Sequence, residues 1–211
     1  MRRRRAVLLF PTALLCSATG LAACGDDPDE PDGAAPATSA SATASGPASN
    51  HTATGTFARY AAGATAVTYD PALVPAGATA TVTVMPAADS TTVQLAVTGL
   101  QAGRAYGAHL HVNPCGATGD AAGPHYQQQP DPAASPSPPS VDPSFANPRN
   151  EVWLDFTTDA QGAATATATQ PWTFNPPRTP RSLVIHAETT KTAPGEAGQA
   201  GSRAGCLSLP G

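Results

Sequence analysis

Four histidines carry the chemistry open to this chain. His109 and His111 stand two apart in Ala-Tyr-Gly-Ala-His-Leu-His-Val, His125 follows in Gly-Pro-His-Tyr, and His186 closes the apolar run Ser-Leu-Val-Ile-His. In an extended strand residues i and i+2 share a face, so His109 and His111 can reach one ion together. An all-imidazole site suits copper, zinc or iron better than magnesium or calcium, which prefer oxygen ligands. The fifth histidine, His51, ends a polar stretch and reads as a solvated tail residue.

The elements that must position these side chains are short strands. Residues 64–69, 79–84, 92–97, 105–112, 151–156, 164–169 and 182–187 read as strands, several with clear apolar and polar alternation, and turn residues lie between them. No stretch has a convincing helical period. The pattern predicts an all-β chain, a β-sandwich or Greek-key barrel. The strands at 79–84 and 164–169 have a weak apolar face and read as edges or solvent-facing strands. Two long segments break the rhythm: residues 127–150, rich in proline from Pro130 to Pro148, and residues 189–202. A long loop inside a compact domain is usually functional or mobile.

A length of 211 residues suits one domain with appendages. Only 12% of residues are charged, and a formal net charge of −4 gives no footprint for nucleic acid. Arg2, Arg3, Arg4 and Arg5 precede an apolar run at residues 6–15, a signal peptide by charge and too short to cross a bilayer as a mature helix. It ends in Leu21-Ala22-Ala23-Cys24-Gly25 before an acidic tract, which resembles a bacterial lipoprotein signal. That resemblance implies cleavage before Cys24 and a lipid on its sulfur. Ordinary secretion with cleavage nearby is the alternative. The expected organisation is a signal peptide at 1–23, a lipid-anchored disordered linker at 24–54 and a β domain at 55–211. The linker has no large apolar residue and cannot bury enough surface to order itself. The expected location is the outer face of a bacterial cell membrane, reached through the lipid anchor only. Cys16 leaves with the leader and Cys24 carries the lipid, so Cys115 and Cys206 remain, and an even pair in an exported protein reads as a disulfide.

From about residue 55 onward the chain resembles the copper/zinc superoxide dismutase family. The matching pieces, in order, are His109-Leu110-His111, Asn113-Pro114-Cys115, Ala122-Gly123-Pro124-His125-Tyr126, Thr158-Asp159-Ala160-Gln161-Gly162, Leu183-Val184-Ile185-His186 and Gly201-Ser202-Arg203-Ala204-Gly205-Cys206. The resemblance implies an immunoglobulin-like Greek-key barrel with two long loops, and dismutation of superoxide to dioxygen and hydrogen peroxide. It implies copper on His109, His111, His125 and His186, with Arg203 beside the metal attracting the anion. It also pairs Cys115 with Cys206.

The chain departs from the zinc-containing members. No histidine occurs between His125 and His186, and Asp131 and Asp142 are the only acids from His125 to Asn150. Zinc prefers four close nitrogen or sulfur ligands, so a copper-only site is expected. The loop before Arg203 is short and should focus the field less. Glu188, Glu151 and Asp155 are candidates for orienting a ligand imidazole. The alternative function is a copper-binding protein of this fold without useful dismutase activity; a metal-free surface adhesin would leave the histidines without a role. No exposed apolar strand face is identifiable, so the sequence sets no oligomeric state.

Overall fold

In residues 91–98 Val93, Leu95 and Val97 point one way and Thr92, Gln94, Ala96 and Thr98 the other, and the burial follows that alternation. Apolar side chains at every second position need a second layer to cover them, and the chain supplies one. The computed structural model describes residues 49–135 and 138–210; the leader, Cys24 and residues 25–48 of the linker lie outside the described residues. Among the described residues nine strands form: β1 (His51–Thr56), β2 (Ala66–Thr68), β3 (Thr79–Pro86), β4 (Thr91–Thr98), β5 (Ala105–His111), β6 (Phe156–Thr157), β7 (Ala164–Gln170), β8 (Ser182–His186) and β9 (Arg203–Ser208). They make two antiparallel sheets, ordered β1-β3-β4-β7 and β2-β9-β8-β5-β6. Helical structure among the described residues is confined to two 3-10 turns, Gly119–Ala122 and Pro176–Arg178. The all-β, Greek-key sandwich expected from the sequence is present.

Val82, Val93, Leu95 and Val97 from one sheet meet Tyr106, Ala108, Leu110, Leu183, Ile185 and Leu207 from the other. Each fully buried Val, Leu or Ile contributes about 1.5–3 kcal/mol. On the outer face of the first sheet, threonines pair across strands: Thr52 with Thr83, Thr54 with Thr81, Thr79 with Thr98 and Thr92 with Thr169.

Three local expectations change. β3 is not an edge, because β1 covers it from His51 onward, so residues 51–54 belong to the sheet and not to the linker. Ala53 and Gly55 are too small to mark an inward face, which hides β1 in the sequence. The expected strand at 151–156 shortens to Phe156–Thr157, while Glu151 and Trp153 make single bridges to Gln127 and His109. β9 completes the second sheet between β2 and β8, its alternation masked by Ala204 and Gly205.

The two long loops meet where the Gly195 N–H donates to the Val141 carbonyl at 3.2 Å. The proline-rich loop is pinned by its own polar side chains. The Ser140 hydroxyl donates to Asp131 at 2.6 Å, and the Asn150 amide donates to the Gln129 and Phe145 carbonyls at 2.8 Å each. The other loop lies close on β5 because Gly107 has no side chain there; a Cβ would stand 2.7 Å from the Glu188 carbonyl oxygen.

Candidate metal centre

β5 is buried on both faces. Tyr106, Ala108 and Leu110 enter the core between the sheets, so the intervening His109 and His111 must face the opposite side, under the loops. β8 runs antiparallel to β5 and sets His186 opposite Gly107. After His111 the chain turns back through a 3-10 turn, and His125 forms a bridge with His111. The four histidines therefore converge. One ligand-capable atom from each lies within 4.8 Å of the other three. His109 and His111 are fully buried, His186 is nearly so, and His125 is partly open.

The second nitrogen of each ring decides what the first can do. His111 Nδ1 meets the Gly123 carbonyl at 2.9 Å, and His186 Nδ1 meets the Gly201 carbonyl at 3.5 Å. A carbonyl accepts only, so both Nδ1 atoms carry the proton and both Nε2 atoms are bare. Those two Nε2 atoms face each other at 3.3 Å. Bare lone pairs at that distance repel unless a cation stands between them. His125 Nδ1 donates to the Glu151 carboxylate at 2.7 Å, leaving its Nε2 bare. His109 is turned the other way: its Nε2 is 2.6 Å from Thr190 Oγ1, which itself donates to Asp155 at 2.7 Å. Its buried Nδ1 then has no hydrogen-bond partner. Four unprotonated imidazole nitrogens, one orphaned, fit a borderline-soft metal such as copper.

Burial, reinforced by neighbouring imidazoles, holds His109 and His111 well below the usual histidine range and draws His186 down to about 3. All three are neutral at ordinary pH, as metal ligation requires.

Arg203 opens β9. A bulge after Ile185 makes it the cross-strand partner of His186. Its Nη1 donates to the Gly119 carbonyl at 2.8 Å. Burial lowers its pKa, yet a guanidinium keeps its charge in a protein. Cys115 and Cys206 are disulfide-bonded, which ties the segment holding Gly119 to the strand holding Arg203. His125, His186 and Arg203 line a cavity of about 410 Å³ together with Pro130, Ala134 and Pro139 of the proline-rich loop.

With this geometry in view, the family assignment rests on sequence: the copper/zinc superoxide dismutase (SODC) pattern matches residues 78–207, more than half of the chain. The chain belongs to the copper/zinc superoxide dismutase family. The fold agrees with a solved structure, the Cu/Zn superoxide dismutase from Brucella abortus, at a TM-score of 0.51 and 19% identity, covering 77% of this chain and 100% of that one. A double mutant of a superoxide dismutase-like protein from Bacillus subtilis aligns at a TM-score of 0.45 and 14% identity, covering 62% of this chain and 88% of that one. No protein of curated function matches the chain in sequence.

Within the family frame, the three candidate orienting acids separate. Glu151 is fully buried and takes N–H donors from His125, Trp153 and Gln127 at 2.7, 2.7 and 2.8 Å. Asp155 reaches His109 through Thr190 and stands 3.7 Å from its Nε2. Among the described residues the Glu188 side chain makes no hydrogen bond to the four histidines; it lies against Gly201. Thr190, Trp153 and Gln127 were missed from sequence, and nothing in a Thr-rich, Gln-containing chain marks them. Among the described residues, the four histidines are the one group of three or more His, Cys, Asp or Glu side chains close enough to share an ion.

Proposed function

We propose that this protein dismutates superoxide at copper held by His109, His111, His125 and His186, outside a bacterial cell and tethered through lipid on Cys24. One observation carries the reading: four imidazoles each bring a ligand-capable nitrogen within 4.8 Å of the others, beside a fixed guanidinium and on the wall of a cavity.

Copper bound there would supply the one-electron exchange, taking an electron from one superoxide and returning it to a second. The chain's own residues do the rest. Arg203, braced on Gly119, holds positive charge where the small anion must lodge. Glu151 keeps the proton on His125 Nδ1, so His125 Nε2 stays available and the ring keeps its orientation. That same hydrogen bond occupies the nitrogen a bridging histidine would offer to zinc, which favours copper alone. Protons for peroxide come from solvent through the cavity.

The test is direct. Pure protein loaded with one copper per chain should remove superoxide faster than free copper, and loading with both metals should retain copper and no zinc. Arg203→Ala should lower the rate roughly tenfold with copper still bound. Tight copper binding with no rate above free copper would favour a copper-binding role instead. For the tether, Cys24→Ser should release the protein from membranes; a variant still membrane-bound would count against lipidation.

A further inference from the structure

We propose that Arg178 is a second, outer cation that draws anions into the cavity toward Arg203; this rests on the dismutase reading of the site. Arg178 ends the 3-10 turn between β7 and β8, far from Arg203 in sequence, yet both line the cavity that opens on His125 and His186. It is solvent-exposed but held in place. Its two Nη atoms donate to the Gln127 and Gln128 carbonyls at 3.4 and 3.3 Å, and its guanidinium lies 5.6 Å from the centre of the Tyr126 ring. These three acceptor residues directly follow His125, so the charge is fixed to the segment that carries a ligand.

No Asp or Glu among the described residues forms a salt bridge with Arg178. The lysine of the short loop is different: Lys191 pairs with Glu196 at 3.4 Å and contributes little net charge. Arg181 shares a neighbouring depression with Arg178 and extends the positive strip. Asp131 and Glu151 are the opposing carboxylates on the cavity wall; Glu151 is buried against His125, Trp153 and Gln127, Asp131 takes the Ser140 hydroxyl and the Ala133 N–H, and neither pairs with Arg178. At most about 7 Å of chain separates His125 from Gln127, whose carbonyl holds the guanidinium at 3.4 Å, so the Arg178 charge is within reach of His125 on the order of 10 Å. At that distance a unit charge in water changes the local concentration of a monovalent anion about twofold at low salt. The Debye length is about 10 Å at 0.1 M, so the effect must fade with salt.

The experiment compares copper-loaded wild type with Arg178→Gln, Arg178→Lys and Arg178→Glu. Two quantities are read against ionic strength: the superoxide rate constant, and the Kd of azide followed by its Cu(II) absorption band. Arg178→Gln should lose about twofold in both at low salt and nothing at about 0.5 M; charge reversal should double that loss, and Arg178→Lys should match wild type. Arg178→Gln equal to wild type at low salt would overturn the proposal. So would Arg178→Lys falling as far as Arg178→Gln, since that assigns the effect to packing on Tyr126. If wild type is no faster than free copper, the dismutase reading falls, while the azide series still decides the role of Arg178.

Discussion

An imidazole binds a metal only through a nitrogen that carries no proton, and each of these four rings arrives with its proton committed elsewhere. Three are sent to carbonyl or carboxylate acceptors through Nδ1, and His109 sends its own through Nε2 to Thr190 and on toward Asp155. The cost of this arrangement appears in acid. His186 titrates near 3 in the fold but at an ordinary 6.5 when exposed, so above pH 6.5 both forms are neutral and the fold loses nothing. Below it the unfolded chain takes up protons that the fold refuses, and the metal-free protein is destabilised progressively as pH falls toward 3, by up to about 1.4 kcal/mol per pH unit for each such histidine. His109 and His111 shift in the same direction and add to it. Urea unfolding of the metal-free protein between pH 7.5 and 4.5 should show this slope, and His186→Asn should reduce it; a flat profile would contradict the burial argument. The buried Glu151 is the other point of failure. Glu151→Gln keeps the shape but turns an N–H₂ toward a site built from donors. We expect a loss of about 2–3 kcal/mol in stability and a copper affinity roughly 10- to 100-fold weaker, read by denaturation and by competition with a chelator.

The strands place these side chains by register, and the loops then close over them. Gly107 stands opposite His186, and its missing side chain lets the 189–202 loop bring Thr190 to His109. Gly107→Ala would put a methyl 2.7 Å from both Ala200 Cβ and the Glu188 carbonyl. The loop must lift, at about 1–3 kcal/mol, and faster copper loss to a chelator should accompany a lowered unfolding midpoint; unchanged values for both would mean the loop does not position His109. Register also explains what the sequence disclosed. β4 was legible because Val and Leu alternate with Thr and Gln, and the His109–His111 pair was legible because a strand's period is two. β1 and β9 were obscure because Ala and Gly on their inward faces carry no apolar signal. Residues 151–156 alternate well, yet Glu151 and Trp153 serve the histidines, leaving only two residues in the ladder. Glu151, Asp155 and Glu188 were indistinguishable as acids; only the folded contacts of Gln127, Trp153 and Thr190 separate them.

At the scale of the molecule, the four histidines and Arg203 are held by different means. The histidines sit on β5, β8 and a segment bridged to β5, all anchored by sheet hydrogen bonds and the core between the sheets. Arg203 depends on more. Its brace, Gly119, belongs to the connection after β5, and Cys115 in that connection is joined to Cys206 on β9 across 91 residues of sequence. Closing a loop of that length restricts the unfolded chain by about 4–5 kcal/mol in the chain-entropy model. The double variant Cys115→Ser/Cys206→Ser should therefore unfold at clearly lower urea, by an amount of that order. Under conditions where it remains folded, it should keep its copper, because none of the four ligand nitrogens relies on the bridge. Its superoxide rate should nevertheless fall toward that of Arg203→Ala, because the Gly119 carbonyl is free to leave the guanidinium. Combining the two changes then gives the sharper reading. If the bridge acts through Arg203, adding Arg203→Ala to the serine variant costs little further rate, whereas two full and independent losses would show that the disulfide supports the cavity by another route.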